Sequence, residues 1–86
     1  MANIKLYFRT LNKREEKKES DAQAIAEIIG KYSIDFKYTV FASPLVIFNV
    51  LHIDKSDCMT MLSDICTSIS SDSRYKSLRF FEYHQI

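Results

Sequence analysis

The stretch from Leu45 to Ile53, with the sequence LVIFNVLHI, is almost continuously apolar and constrains the fold more than any other feature of the chain. It is far shorter than the roughly 20 apolar residues that span a membrane, and its β-branched and aromatic residues favour a strand. A strand of this kind is typical of the centre of a sheet that helices cover on one face. Residues Ile34 to Phe41 are also β-branched and aromatic, and Ala42-Ser43-Pro44 between the two segments predicts a short turn, so we expect a hairpin.

Two further strands are predicted near the ends of the chain. Ile4, Leu6 and Phe8 alternate with more polar neighbours, which is the period of a strand with one buried face. Near the other end, the aromatic segment from Leu78 to Tyr83 predicts the last strand. The hairpin therefore has two partners with which to form a four-stranded sheet.

One helix is predicted between the first strand and the hairpin. The charge run from Leu11 to Glu19 is too polar to bury and predicts a loop. Ser20 and Gln23 then have the spacing of a capping box, which opens a helix. Gly30 is a plausible terminator, so the first helix is expected from about Asp21 to Gly30.

A second helix is predicted after the hairpin, and it contains both cysteines. Asp54 or Ser56 is expected to cap it, and its apolar residues recur at helical spacing. They are Cys58, Met61, Leu62, Ile65, Cys66 and Ile69. Eight positions along a helix separate Cys58 from Cys66 by about 12 Å, which is beyond the Cα separation of a disulfide. We therefore expect two free thiols that are at least partly buried.

The predicted order of elements, β-α-β-β-α-β, is the ferredoxin-like arrangement of an α+β protein. Right-handed crossovers give an antiparallel sheet of strand order 4-1-3-2 with both helices on one face and the other face open. With 86 residues, of which 47% are hydrophobic and 27% charged, the chain has the composition of one globular domain over residues 1–86. The expected core comprises Leu6, Phe8, Ile25, Ile28, Val46, Phe48, Val50, Leu62, Ile65 and Phe80.

In this topology the first strand ends, the hairpin turns and the last strand begins at the same end of the sheet. Although the net charge is only +1, eight of the twelve Lys and Arg residues are predicted at that end. We call these eight the basic rim: Arg9, Lys13, Arg14, Lys17, Lys18, Arg74, Lys76 and Arg79. Glu15, Glu16 and Glu19 dilute their charge. The rim is therefore either a solvated region of mixed charge or a site for phosphates or an acidic protein surface.

The open face of the sheet is predicted to carry aromatic and aliphatic side chains. If Leu6 and Phe8 point inward, Tyr7 points outward, and Asn49 is unfavourable under the helices. The residues expected on the open face are Tyr7, Ile47, Asn49, Phe81 and Tyr83. A slip of one residue in register would return them to the core. If exposed, such a patch indicates a protein partner or a second copy of the chain in a homodimer.

Catalytic and metal-binding residues were sought among the histidines, cysteines and carboxylates. His52 and Asp54 are spaced so that both could point to one face of a strand, but a histidine at a strand end is more often solvent-facing. The single glycine excludes a glycine-lined phosphate loop, and no Cys and His spacing completes a zinc motif. We expect a non-enzymatic protein without metal or cofactor. The N-terminal residues lack the apolar segment of a signal peptide, so a cytoplasmic location is expected.

The hexamer from Leu6 to Leu11, LYFRTL, resembles the shorter signature of RNA-recognition motifs, on the strand where that family has it. The resemblance implies that Tyr7 stacks on a base of single-stranded RNA. The longer signature of the family is missing, since Leu45 to Asn49 has neither a glycine nor a basic residue. The predicted topology is also similar to that of ACT-type domains, which implies a small-molecule-sensing regulatory role, although the glycine-containing binding loops of those domains are absent.

As a whole the chain resembles the small early proteins of tailed bacteriophages, which are short, rich in lysine and aromatic residues, and poor in glycine. That resemblance implies counter-defence: inhibition of a host defence factor, nuclease or toxin, as by anti-CRISPR proteins or the RNA-assisted inhibitors of the ToxN endoribonuclease. The expected partner is a host protein in the host cytoplasm, with RNA rather than DNA as the nucleic acid that the basic rim contacts. No membrane partner is expected.

Overall fold

A computed structural model describes all of residues 1–86 and contains the six elements that the sequence predicts. They are β1 (Ala2–Thr10), α1 (Glu15–Gly30), β2 (Phe36–Val40), β3 (Leu45–Ile53), α2 (Lys55–Ser71) and β4 (Leu78–Gln85), with a 3₁₀ turn at Ser73–Tyr75 before β4. The strand order is β2-β3-β1-β4, and every neighbouring pair is antiparallel. This is the predicted order seen from the other edge, so the ferredoxin-like α+β fold is confirmed.

The core lies between one face of the sheet and the two helices. Alternate residues of the two central strands are fully buried: Ile4, Leu6 and Phe8 on β1 and Val46, Phe48 and Val50 on β3. The helices add Ile25, Ile28 and Ile29 from α1 and Met61 and Ile65 from α2. Leu62 and Phe80, which were predicted as core residues, are only half-buried and pack against this cluster. Phe80 lies on the edge strand β4, where no further strand covers the outer side of its ring.

The first helix begins six residues earlier than predicted. Its first residue is Glu15, and Arg14 precedes it without a capping side chain. The predicted loop and capping box were therefore wrong: Ser20 lies inside the helix and its hydroxyl donates to the carbonyl of Glu16 at 3.1 Å. Glu and Lys favour helices, and acidic residues in a first turn interact well with the helix dipole. For these reasons the charge run extends the helix instead of forming a loop.

The second helix is capped by Asp54, whose carboxylate accepts a hydrogen bond from the Asp57 amide at 2.8 Å. The structure thus decides between the two caps that the sequence allowed. Both cysteines lie on this helix as predicted, but Cys66 is exposed and only Cys58 is half-buried. The expectation that both are partly buried was wrong for Cys66, because its side chain points away from the sheet face that α2 covers.

Two irregularities in strand pairing shape the sheet. Between β1 and β4 the register shifts at Tyr7 and Phe8, and between β1 and β3 it shifts near Ala2. In both places one strand contributes an extra residue, which is the definition of a β-bulge. At the second bulge His52 adopts a φ of +55°, and its amide donates to the side-chain oxygen of Asn3 at 3.0 Å.

Candidate functional site

Three loops meet at the end of the sheet where β1 finishes. The Thr10 amide donates to the carbonyl of Pro44 in the hairpin turn at 3.1 Å, and the Leu11 amide donates to the carbonyl of Ser77 before β4 at 2.8 Å. These two backbone hydrogen bonds join the loop after β1 to both other segments. The convergence of loops on which the basic rim was predicted is therefore present.

Seven members of the basic rim are exposed, and Arg74 is the one among them that pairs with a distant element. The other six are Arg9, Lys13, Arg14, Lys17, Lys76 and Arg79. Two of them have identified partners. Arg14 forms an ion pair with Glu16, and the guanidinium of Arg79 donates to the carbonyls of Lys76 and Leu78 at 2.8 and 2.7 Å. Arg79 is thereby held at the start of β4 with its charge unneutralised by a carboxylate.

The other two members of the predicted rim do not belong to it. Lys18 is only 4% exposed, and its Nζ donates to the Ala42 carbonyl at 3.0 Å and to Glu15 at 3.1 Å. It joins α1 to the hairpin turn and has no free surface for a ligand. Arg74 turns toward α1, where it pairs with Glu27 at 2.7 Å. That carboxylate raises the pKa of the Arg74 guanidinium. Both residues were placed in the rim by their position in the sequence, whereas one acceptor of each lies far away in the chain: the Ala42 carbonyl for Lys18 and the Glu27 carboxylate for Arg74.

The central strands present Tyr7, Ile47 and Asn49 on the open face, half-exposed and between buried neighbours. Tyr7 lies opposite Ile47, and Asn49 lies opposite Lys5. Because directly paired residues point to the same side of an antiparallel sheet, these side chains form one surface. Their predicted placement on this face agrees with the structure, and their role in binding stays a prediction.

The bulge in β4 separates the two aromatic residues that were predicted on the open face. Phe80 pairs with Phe8 and Glu82 with Tyr7, which leaves Phe81 as the extra residue. The Phe81 ring lies on the open face with its centroid 6.0 Å from that of Tyr7.

Tyr83, in contrast, pairs with the buried Leu6 and therefore shares the face of the helices. Its predicted placement was wrong, because the extra residue reverses the alternation of side chains beyond it. With Ile4, Cys58 and Met59, Tyr83 lines an open groove of about 390 Å³ at the other end of the sheet.

An aromatic cluster forms on the open face around Tyr7. Besides Phe81, the His84 ring packs edge-on against Tyr7 with centroids 5.2 Å apart. A ring nitrogen of His84 lies 2.7 Å from a carboxylate oxygen of Glu82. Sequence reasoning missed His84, since strict alternation from Phe80 would place His84 on the side of the helices. Only the pairing of β4 with β1 reveals the bulge that turns it outward.

Basic side chains surround the aromatic cluster on the same face. Arg9 and Arg79 lie directly opposite each other on β1 and β4. Lys5 and Lys37 lie on either side of Asn49. Arg9 and Arg79 were predicted in the rim, whereas Lys5 and Lys37 were not predicted in any site, although alternation along β1 and β2 contains the signal for both. The open face is therefore cationic as well as aromatic.

A cleft of about 210 Å³ lies where the open face meets the basic rim, and we call it the junction cleft. It is lined by Arg9, Ser43, Pro44, Leu45 and Phe81. Arg9 and Phe81 belong to the outer surfaces of β1 and β4, and Ser43 and Pro44 belong to the hairpin turn. The cleft thus combines one guanidinium, one exposed aromatic ring and one proline ring within a small space.

The structure separates the histidine and the carboxylate whose spacing allowed a pair on one strand face. His52 is exposed in a bulge, and the Asp54 carboxylate caps α2, so the two do not form a pair. Burial raises the pKa of the Cys58 thiol, which lowers its nucleophilicity at neutral pH. No group of three or more His, Cys, Asp and Glu side chains is arranged to hold a metal ion.

Comparison with known proteins assigns no family, since no protein-family model matches the chain and no curated protein matches its sequence. Neither helix has the length and apolar character required to cross a membrane. The fold and the surface together define the chain as a ferredoxin-like α+β domain with an uncovered cationic and aromatic sheet face.

Proposed function

We propose that this protein is a non-enzymatic binding protein that inhibits a host macromolecule through its open face and the exposed part of the basic rim. The observation that carries the proposal is the cluster of Tyr7, Phe81 and His84 on a sheet face that no helix covers. Exposed apolar patches bordered by polar residues mark interaction sites. Tyrosine and phenylalanine also add large contact areas with few rotatable bonds, and such residues dominate binding interfaces.

The charge on this surface restricts the target. Lys5, Arg9, Lys37 and Arg79 on the open face outnumber Glu82, the carboxylate opposite Tyr7, so the surface favours a partner that carries negative charge. The nucleic-acid cleft of a host nuclease or toxin is itself basic and would repel these residues. We therefore propose contact either with an acidic region of the host protein or with RNA that the host protein holds. The resemblance to small phage proteins favours a defence nuclease or toxin as that host factor.

Two aromatic residues of β4, on either side of Glu82 in the sequence, provide a matched test of the proposal. Phe81 and Tyr83 are each 49% exposed, but they lie on opposite faces of the sheet. The experiment compares three tagged proteins: wild type, Phe81→Ala and Tyr83→Ala. Each would be used to capture partners from bacterial lysate, with and without nuclease. Each would then be assayed for inhibition of the captured factor. We expect Phe81→Ala to lose capture and inhibition and Tyr83→Ala to keep both. The reverse pattern would assign binding to the groove on the side of the helices.

A second candidate function is small-molecule sensing of the ACT type. The groove of about 390 Å³ beside Tyr83 is the observation that favours it, because ligand pockets are concave, mostly apolar and of this size class. If this function is correct, at least one ligand in a thermal-shift screen of nucleotides and amino acids should raise the unfolding temperature of the protein. Tyr83→Ala should then abolish the shift, and Phe81→Ala should leave it unchanged.

A further inference from the structure

We propose that the junction cleft binds one base of a single-stranded nucleic acid, with the adjoining phosphate held between Arg9 and Arg79. This inference rests on the proposed function, because it names the ligand of the same surface. The proposed ligand combines a planar ring with a negative charge. Arg9 lies between the proposed base site and the proposed phosphate site, since it lines the cleft and is directly opposite Arg79 on the neighbouring strand.

The shape of the cleft suits one planar ring. Its volume of about 210 Å³ is below the roughly 300 to 1,000 Å³ of pockets that hold drug-sized ligands. Phe81 lines the cleft together with Pro44 and Leu45 of the hairpin. Bases stack on aromatic side chains regardless of their sequence, since every base has a π-face. One base inserted beside Phe81 would cover the exposed half of that ring.

The aromatic surface continues beyond the cleft. The Tyr7 ring lies 6.0 Å from Phe81, at an angle of 50°, and His84 lies on the far side of Tyr7. Successive aromatic side chains that accept successive bases are the common device of proteins that bind single strands. A strand that leaves the cleft would therefore pass over Tyr7, toward Lys5 and away from the hairpin turn.

The pair of arginines supplies the second, independent argument. Arg9 and Arg79 are cross-strand neighbours, and like charges directly opposite each other destabilise a sheet. The ion pairs of the protein involve Arg14, Lys18, Arg74 and His84, so no carboxylate neutralises this pair. Arg79 is instead held by two backbone carbonyls. A phosphate between the guanidiniums would remove the repulsion and receive charge-assisted hydrogen bonds.

The same features favour a single strand over a duplex or an acidic protein segment. In a duplex both faces of each internal base are stacked on neighbours, so none can enter the cleft beside Phe81. An acidic peptide would neutralise Arg9 and Arg79 but would leave Phe81 and Tyr7 without a stacking partner. An unpaired strand supplies a planar ring and a negative charge in every nucleotide.

The test measures binding of fluorescein-labelled oligonucleotides of about ten bases, a length within the known site sizes of single-strand binders. Uridine and 2′-deoxyuridine decamers and a mixed-sequence duplex would be titrated by fluorescence anisotropy at about 50 and 200 mM salt, a range over which phosphate contacts strongly affect affinity. Phe81→Leu keeps the apolar character and much of the volume of the side chain but removes the ring, and Phe81→Tyr keeps the ring. Tyr83→Leu is the control on the opposite face.

We expect Phe81→Leu to weaken single-strand binding by about 10- to 100-fold, which corresponds to the loss of one stacked base. Phe81→Tyr and Tyr83→Leu should stay within about twofold of wild type. Arg9→Gln should weaken binding to all sequences and lower the slope of log affinity against log salt by about 1. Arg74→Gln, which alters a charge on the α1 side, should leave the slope unchanged. Tighter binding of the uridine decamer would identify RNA as the ligand, and equal binding would identify single strands of either sugar.

Three results would overturn the inference: no binding of either decamer at the lower salt, equal or tighter binding of the duplex, or wild-type affinity of Phe81→Leu. The outcome for the proposed function is read separately, from capture and inhibition of the host factor in lysate with and without nuclease. If Phe81→Ala abolishes that capture while the decamers do not bind, the nucleic-acid inference fails and a protein target remains. If both experiments are unaffected by changes to Phe81, the inference and the proposed function fail together.

Discussion

Removal of the Asp21 carboxylate is the sharpest test of how the loop after β1 is held. Asp21 lies on α1 and is 7% exposed. One of its oxygens accepts hydrogen bonds from the Thr10 hydroxyl at 2.6 Å and from the Asn12 amide at 2.7 Å. Thr10, at the end of β1, is 1% exposed, and its hydroxyl oxygen also accepts from the Asn12 backbone at 3.1 Å. The carboxylate therefore fixes the start of the loop that carries Lys13 and Arg14.

The expected loss of stability follows from these contacts. A hydrogen bond to a charged group contributes about 1.5 to 3 kcal/mol, and a buried polar group left without a partner costs about 1 to 3 kcal/mol. Desolvation of the carboxylate opposes part of this gain. For Asp21→Ala we expect a net loss of about 2 to 4 kcal/mol, a large part of the roughly 5 to 15 kcal/mol that stabilises a small domain. Asp21→Asn keeps an acceptor without the charge, and should lose about 1 to 2 kcal/mol.

The assay is equilibrium unfolding in urea, followed by far-ultraviolet circular dichroism. With a slope near 1 to 1.5 kcal/mol per molar urea, a loss of 3 kcal/mol lowers the midpoint by about 2 to 3 M. Thr10→Val should destabilise the wild type, and it should cost less when Asp21 is already alanine, because the shared hydrogen bond is gone and only the bond from the Asn12 backbone remains to be lost. A loss below about 0.5 kcal/mol for Asp21→Ala, or additive effects of the two substitutions, would refute the reasoning.

Two further predictions concern individual side chains. Exposed Cys66 should react with a maleimide at a rate close to that of an unfolded control. Cys58 should react several-fold more slowly, because burial covers its thiol and raises its pKa. Mass spectrometry would follow both reactions, and equal rates would contradict the position of α2. The hydrogen bond that Tyr38 donates to Glu19 at 2.7 Å raises the pKa of the Tyr38 phenol above its ordinary value of 10.0. A pKa that is raised in the folded state contributes stability below the unfolded value and loses it at higher pH, so the unfolding temperature should decline above about pH 10. Tyr38→Phe should make that decline shallower than in wild type, and an unchanged decline would show that the bond to Glu19 does not form.

Some side chains of the binding surface can be placed from the pattern of their own strand, and others only from the pairing of two strands. Tyr7 and Asn49 could be placed on the open face from alternation along their own strands, since side chains of a regular strand point to opposite faces in turn. Tyr83 and His84 could not, because the bulge at Phe81 shifts the alternation by one residue. A bulge arises from the pairing of β4 with β1, and no pattern within β4 announces it.

The sequence by itself determined the order of elements, the strand order, the buried faces of β1 and β3 and the helical position of both cysteines. These properties follow from local periodicity and from the handedness of crossovers, which act within an element or between consecutive ones. Only the tertiary structure decided where individual charges lie. Lys18 lies buried where its Nζ donates a hydrogen bond to the Ala42 carbonyl, 24 positions away, and Arg74 turns aside to Glu27 on α1. A long charged side chain takes its position from the partners that folding brings within reach, and those partners are not neighbours in the chain.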